Sequence, residues 1–337
     1  MRLSMAGLVV VLTGCGLGAD YRISHQEYKN PPGYETIQIF ADIALQRHNF
    51  GEFIGRCQIQ FAFSPVPPKE DTEETDEVDD TNVDMEPWVV ANPEKPGTCA
   101  FSIEPKPNEI QPGDPDDNWY VSGSIVGPDE IYLHSDVVDL RLPVHTLEDG
   151  SLRYELPVED CDDISFPISS VLTLDVPEGE TADIDNLPGF YIEEALVVGP
   201  DVIMTSPSVL PESGMEWMGQ SIDEDMGVEW WFDGDIPTID GLAVYPEVLI
   251  KIYNQDLSGS ANNEWLVCRP SEDGRFSIPS EDLAQLTANS STEDPNWFAS
   301  VTIHTTTESP SFTVPWGEPV QLRAHISEGG TVVLYEP

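Results

Sequence analysis

The sequence predicts an all-β protein, and three observations lead to that class. Apolar side chains recur at every second residue in short runs, as at Cys57, Ile59, Phe61 and Phe63. Turn-forming residues, among them 30 prolines and 25 glycines, separate these runs. Only the segment after Ser280 has the spacing of a helix. A period of two indicates half-buried strands, and many short strands without intervening helices indicate a sandwich or barrel.

The first half of the chain is predicted to form one β-sandwich domain over residues 34–205. Turn signals such as Gly127-Pro128, Asp149-Gly150 and Gly199-Pro200 separate its expected strands. Besides residues 57–63, the expected strands are residues 98–103, 120–126, 131–144, 152–156, 171–176, 190–198 and 201–204.

An acidic segment interrupts this domain. Between Lys69 and Glu86 there are ten acidic residues and one basic residue, with almost no large apolar side chain. Such a segment cannot bury enough apolar surface to offset the entropy of ordering it. The sequence therefore predicts a disordered insertion over about residues 64–97.

The second domain is predicted over residues 214–337, after a Pro- and Ser-rich boundary at residues 206–213. Its clearest strand is residues 320–326, where apolar and polar residues alternate without a break. After Ser280, an expected N-cap, Glu281 and Asp282 precede Leu283 and Leu286, which favours a short helix. The complete prediction is two immunoglobulin-like or related β-sandwich domains in tandem.

The beginning of the chain resembles the leader of bacterial lipoproteins. Arg2 precedes an apolar run that ends at Leu12, and Thr13, Gly14 and Cys15 follow. The run is too short for a transmembrane helix, which needs about 20 apolar residues. Leu-Thr-Gly-Cys resembles a lipobox, which implies a signal peptide over residues 1–14, acylation of Cys15, and a flexible tether over residues 15–33. Since Gly16 follows Cys15, the resemblance further implies the outer membrane of a Gram-negative bacterium, facing the periplasm or the cell surface.

The second half contains a further resemblance. Val228-Glu229-Trp230, Leu266-Val267-Cys268, and the run from Asp273-Gly274 to Ser277-Ile278-Pro279 follow one another before the short helix. This order resembles a module of uncharacterised exported lipoproteins of Gram-negative bacteria, over roughly residues 215–337 with a looser echo over 120–205. The resemblance implies architecture and location, because that family has no established activity.

The charge of the chain excludes one class of partner. There are 62 acidic residues against 14 Lys and Arg, a formal net charge of -48 at pH 7. Because nucleic acids bind through Lys and Arg, we expect no nucleic-acid partner. The charge fits a solvated surface, adaptation to high salt, or calcium binding by carboxylate-rich loops. Asp183 and Asp185 are the candidate calcium ligands, and no other cofactor is predicted.

Four cysteines besides Cys15 predict disulfides in an exported chain: Cys57, Cys99, Cys161 and Cys268. An even number of cysteines in an oxidising compartment indicates paired thiols but leaves their connectivity open. We favour Cys57 with Cys99 and Cys161 with Cys268, because these partners are nearest in sequence. The absence of C-x-x-C argues against a zinc ribbon and a thioredoxin-type site.

No sequence motif predicts a catalytic residue. The nucleophile elbow G-x-S-x-G is absent, and His304 and His325 are expected on outward faces of neighbouring strands. Trp230 and Trp231 are adjacent in a strand and must face opposite sides. We therefore expect a lipid-anchored, non-enzymatic envelope protein with a binding or structural role and an unidentified protein or glycan partner. The alternatives are a calcium-dependent adhesion or carbohydrate-binding module and, third, a hydrolase with a carboxylate-based site.

Overall fold

The structure is a computed structural model of the 337-residue chain, and almost every regular element in it is a strand. It describes residues 21–23, 36–49, 53–66, 90–104, 127–136, 138–146, 152–156, 166–177, 187, 189–207, 219–256, 261–271, 274–292, 295–314 and 319–337. The elements are β1 (Tyr21–Ile23), β2 (Thr36–Asn49), β3 (Phe53–Val66), β4 (Thr98–Ile103), β5 (Glu130–His134), β6 (Asp139–Thr146), β7 (Leu152–Glu155), β8 (Ser170–Val176), β9 (Phe190–Val198), β10 (Asp201–Ser206), β11 (Gly219–Ser221), β12 (Met226–Asp233), β13 (Thr238–Ile239), β14 (Leu242–Ala243), β15 (Glu247–Asp256), β16 (Glu264–Arg269), β17 (Arg275–Ile278), α1 (Ser280–Leu283), β18 (Trp297–Glu308), β19 (Phe312–Thr313), β20 (Pro319–Val320) and β21 (Arg323–Tyr335).

Most of these strands belong to one long sheet. Its order is β1-β9-β8-β5-β6-β7-β3-β2-β21-β18-β15-β16-β4, and β11 pairs with β21. Its pairings are antiparallel except that β2 and β11 both run parallel to β21. A three-stranded sheet, β10-β12-β17, and two short hairpins complete the described part. The predicted all-β sandwich class is confirmed.

The pairing does not follow the domain boundary expected at residues 206–213. In β2, Ala44–Asn49 lie beside His325–Gly330 of β21. In β4, Thr98–Ile103 lie beside Glu264–Arg269 of β16. Two sandwiches that folded separately would keep their strands in their own halves. Here strands from the first half extend and flank the sheet of the second half, so the pairing crosses the expected boundary.

The core lies between the long sheet and the strands packed against it. In β8 the burial pattern alternates strictly, with Leu172 and Leu174 fully buried. β9 and β10 do not pair with β18 or β21 within a sheet, but they contact both of these strands. The buried apolar side chains of both expected domains form one contiguous cluster. Each fully buried Leu or Ile in this cluster stabilises the fold by about 1.5–3 kcal/mol.

Residues 131–144, expected as one strand, form two. The chain turns after β5, where the Ser135 N–H donates to the Val138 carbonyl over 2.8 Å. The Ser135 hydroxyl accepts a hydrogen bond from the Val138 N–H over 3.1 Å. β6 then returns antiparallel to β5. Residues 120–126, another expected strand, lie outside the described part.

The short helix is present where it was expected, but its cap differs. Pro279, not Ser280, is the N-cap residue, and no side chain of the cap makes a hydrogen bond. Asp225 supplies the acceptor instead, because its Oδ1 accepts the Ser280 N–H over 2.8 Å. Among the described residues, no helix is long and apolar enough to cross a bilayer.

A buried asparagine holds the loop between α1 and β18. Asn289 is 6% exposed. Its Nδ2 donates to the carbonyls of Trp297 at 2.9 Å and Leu334 at 3.0 Å. Its Oδ1 accepts the N–H groups of Asn296 at 2.8 Å and Trp297 at 3.0 Å. With these four bonds the side chain amide is fully satisfied, and it fixes the loop against β21.

Candidate functional site

Several predicted site residues lie outside the part of the chain that the structure describes. They are Cys15, Cys161, Asp183 and Asp185, together with most of the acidic insertion. Cys57 belongs to β3, but its side chain is not among those described. The lipidation site and the candidate calcium ligands therefore stay predictions.

The observed disulfide joins Cys99 to Cys268. The two residues are directly opposite each other in β4 and β16, with their Cα atoms 4.0 Å apart. Each cysteine can form only one disulfide, so the favoured pairs Cys57 with Cys99 and Cys161 with Cys268 are both wrong. The reason is topological: β4 pairs with a strand far along the sequence rather than with β3.

One concave feature is a cleft around the turn that follows β16, here named the Ser271 cleft. One part has a volume of about 300 Å³ and the other about 420 Å³, and Ser271 lines both. The first part is lined by Trp230, Val248, Pro96, Pro246, Pro270 and the paired side chains of Glu247 and Arg269. The second part is lined by Gly227, Val228, Glu229, Arg275, Phe276 and Ser277.

The local sequence explains how the Ser271 cleft is built. Trp230 and Trp231 face opposite sides of β12 as predicted, with exposures of 4% and 49%. The backbone N–H of Trp230 donates to the Gly274 carbonyl over 3.0 Å, and this bond holds the turn before β17 against β12. Gly274 has φ +81°, a conformation that glycine adopts readily. Apolar walls with a few polar groups are typical of a ligand pocket.

A second feature lies on the outer face of the long sheet, the side opposite the core. Because Ile250 and Ile252 of β15 are fully buried, Lys251 between them faces outward. His304 in β18 and His325 in β21 lie on the same face, with ring centroids 5.1 Å apart and an interplanar angle of 21°. The predicted outward placement of the two histidines on neighbouring strands is confirmed. Lys251, His304, Thr306 and His325 are named the Lys251 cluster.

One hydroxyl joins the two imidazoles. Thr306 Oγ1 lies 3.0 Å from His325 Nδ1 and 3.4 Å from His304 Nε2. Burial, followed by the Lys251 charge and then His325, lowers the pKa of His304 to about 3. Burial also lowers the pKa of Lys251. His304 is therefore neutral at neutral pH, and its ring can donate only one hydrogen bond.

The buried carboxylates that the structure describes hold the backbone in place. Asp201, Asp256 and Glu264 are each less than 9% exposed. Asp201 accepts the Val202 N–H, and Asp256 accepts the Ala261 N–H. Glu264 accepts hydrogen bonds from the Asn254 amide and from the backbone N–H and hydroxyl of Thr287. In each case a charged acceptor is satisfied by donors of the fold itself.

The carboxylates in the turn before β12 are exposed. Asp223, Glu224 and Asp225 all face solvent, and Asp225 caps α1 as described above. In the part of the chain that the structure describes, no three His, Cys, Asp or Glu side chains are grouped closely enough to hold a metal ion.

The sequence did not single out Lys251 or Ser271. Lys251 is a polar residue in the alternating strand β15, where an outward lysine is ordinary. Its importance depends on two histidines from β18 and β21, which only the sheet order brings beside it. Ser271 follows a proline in a turn, and nothing in its sequence indicates a cleft. Neither a protein-family model nor a curated protein matches this chain.

Proposed function

We propose that this chain is an exported, lipid-anchored envelope protein that binds a partner without transforming it. The observation that carries the proposal is the Cys99–Cys268 disulfide. Structural disulfides form and persist in oxidising compartments and are rare in the cytosol. The lipobox-like run Leu12–Cys15 supports attachment of the exported chain to the outer membrane of a Gram-negative bacterium.

The lipid anchor is tested by replacing its thiol. The Cys15→Ala variant is expected to leave the membrane fraction and to lose incorporation of a labelled fatty acid. One acyl chain holds only marginally, whereas two or three hold firmly. The matched control is Cys161→Ala, which should remain in the membrane fraction. Retention of the Cys15→Ala variant in the membrane, with unchanged labelling, would contradict the proposal.

The Ser271 cleft supports a binding role. It joins a part beside Trp230, where apolar side chains and the Glu247–Arg269 pair meet, to a part that presents Arg275 and Phe276. Apolar surface contributes affinity, and a few polar groups fix the orientation of a ligand. Envelope peptides and glycans presented on an array to the full chain test this role. A Ser271→Trp substitution should fill the cleft and abolish binding, while Thr313→Trp, at an exposed position of β19, should not. Binding that Ser271→Trp leaves intact would place the ligand elsewhere.

Carbohydrate binding is the second candidate function, and exposed aromatic side chains favour it. Trp231 is 49% exposed and lies opposite Ile203 on the outer side of the three-stranded sheet. Tyr245 is 72% exposed. Exposed rings of this kind can stack on sugars. If the ligand is a glycan that stacks on these exposed rings rather than one held in the Ser271 cleft, Trp231→Ala should remove binding and Ser271→Trp should leave it unchanged, which separates the two candidates.

A further inference from the structure

Lys251 lacks the carboxylate partner that several other described cations of this acidic protein have. With 62 acidic and 14 basic residues, a carboxylate partner is readily available. Accordingly Arg141 pairs with Glu130, Arg269 with Glu247, and Arg323 with Glu308. Lys251, although half-buried, makes no ion pair or hydrogen bond in the described part of the chain. An ammonium group withdrawn from water without a partner costs free energy, so its placement calls for an explanation.

The neighbours of Lys251 are hydrogen-bonding groups rather than carboxylates. Thr302 lies directly opposite it in β18, and Val267 lies opposite it in β16. Glu247 and Glu308 face this side from adjacent strand ends and are already paired with arginines. Glu104, which follows β4, accepts hydrogen bonds from the Asn263 amide and the Tyr253 hydroxyl. Glu328 of β21 instead accepts the Met204 N–H from β10. In register, the polar side chains of β18 beside Lys251 are Thr302, directly opposite it, and His304, diagonal to it. Thr306 and His325 continue this row through the hydrogen bonds described above.

Two further donors on the same face are unsatisfied. Trp265 of β16 and Ser102 of β4 are opposite each other in register. The indole N–H of Trp265 and the hydroxyl of Ser102 are buried and have no hydrogen-bond partner within the described residues. The Trp265 ring packs on Tyr253, with centroids 4.5 Å apart, and Tyr253 is two residues from Lys251 on this face. Unsatisfied buried polar groups are uncommon in native proteins.

We propose that the Lys251 cluster binds one small oxyanion group, a phosphate, sulfate or carboxylate, carried by a ligand that lies toward Tyr253 and Trp265. The lysine supplies a charge and three donors, and the threonine hydroxyls and imidazoles supply further hydrogen bonds. Charge-assisted hydrogen bonds are the strong ones. A metal cation is disfavoured because the ammonium group repels it.

The overall charge limits the size of this ligand. A net charge of -48 repels polyanions over the distance that salt leaves unscreened, about 8 Å at physiological ionic strength. A ligand with a single anionic group avoids most of that repulsion and is attracted by the ammonium group of Lys251. The Lys251 cluster shares no lining residue with the Ser271 cleft and does not depend on the proposed lipid anchor, so either proposal can fail without the other.

The test is a titration of the full chain with inorganic phosphate, inorganic sulfate and acetate in separate arms, at constant ionic strength made up with chloride. The imidazole proton signals of His304 and His325 report binding by NMR, and a His304→Gln variant assigns them. We expect saturable shifts of both signals in at least one arm, and the arm identifies the oxyanion. The absence of a saturable shift in all three arms up to about 50 mM would overturn the proposal, since it leaves only negligible affinity.

Variants show whether Lys251 carries the binding. Lys251→Met is expected to weaken it about tenfold or more, because a charge-assisted contact is lost. Lys251→Arg should retain binding. Lys95→Met makes the same change of charge at an exposed position and should alter affinity by less than about twofold. Equal losses in Lys251→Met and Lys95→Met, or unchanged binding in Lys251→Met, would overturn the proposal.

One more variant covers the case in which Lys251→Met does not fold. Thr306→Val removes the hydroxyl shared by the two imidazoles and preserves the shape of the side chain. It is expected to weaken the same anion severalfold while circular dichroism and the melting temperature stay close to those of the parent. Undiminished binding by a folded Thr306→Val variant would exclude the Lys251 cluster as the site.

Discussion

Removal of the Cys99–Cys268 disulfide is expected to lower the free energy of unfolding by about 5 kcal/mol. The two cysteines are 169 residues apart in sequence, so the bond closes a very long loop. A cross-link stabilises a protein mainly by restricting the unfolded chain, and the restriction grows with the logarithm of the loop length. For a loop of 169 residues the chain-entropy relation gives that value at 25 °C. The perturbation is the double substitution Cys99→Ala with Cys268→Ala.

Urea unfolding followed by tryptophan fluorescence measures the loss. The reduced wild-type protein is the control, because it lacks the same cross-link but keeps both sulfur atoms. Under reducing conditions the double variant and the wild type should differ only by the packing of those two atoms, about 1 kcal/mol. If the free energy of unfolding of the double variant is less than about 1 kcal/mol below that of the oxidised wild type, the reasoning is refuted. So would a non-reducing digest in which Cys99 is linked to Cys57.

Two further predictions concern His304 and Asn289. Because burial holds the pKa of His304 near 3 in the folded state, against about 6.5 unfolded, the unfolded chain binds more protons between these values. Stability should therefore fall as pH is lowered through this window, by up to about 1.4 kcal/mol per pH unit. Urea unfolding at a series of pH values should show a shallower fall in His304→Gln, and an identical slope would contradict the assignment. Asn289→Ala removes four hydrogen bonds from a buried side chain to the backbone of Asn296, Trp297 and Leu334 and should cost about 3 kcal/mol. The exposed Asn92→Ala is its control, and thermal unfolding that ranks the two variants equally would count against this role.

Strand positions could be predicted from the sequence because a half-buried strand alternates apolar and polar residues with a period of two. The segment 171–176 shows this well, since burial alternates strictly along β8. Residues 190–198 form β9 as expected, although burial alternates only over the first four of them. Residues 320–326, expected as one strand, are divided between the end of β20 and the start of β21, and residues 321 and 322 belong to neither. The same reasoning placed Trp230 and Trp231 on opposite sides of their strand, and the structure shows that Trp230 is the buried one. Each of these predictions depends only on residues next to one another in the chain.

Strand partners could not be predicted, because alternation says which face is buried and nothing about the neighbour. The parallel pairing of β2 with β21 and the pairing of β4 with β16 join distant segments. A wrong neighbour for β4 led directly to a wrong partner for Cys99. The Lys251 cluster was missed for the same reason, since its members come from three strands that become adjacent only in the sheet.

Close packing at the centre of the sheet could not be predicted from the alternation of apolar and polar residues either. Gly329 of β21 lies so close to the Val301 carbonyl and to Thr302 of β18 that a Cβ atom at this position would overlap them. The sequence Gly329-Gly330 is a usual turn signal, yet both residues belong to the strand. Close backbone approach is the other reason for glycine in a strand, and only the structure distinguishes the two.

The place of β21 in the sheet has a consequence for the order of events during synthesis. β21 is the last strand described, and it lies between β2, from near the start of the chain, and β18. Until nearly the whole polypeptide has emerged, β2 and β18 have no partner along these edges. Contacts between such distant segments make folding slow. Strand edges that stay unpaired in the meantime can pair with other chains. For the export proposed above, the same delay favours translocation, because the sheet cannot close before its last described strand is available.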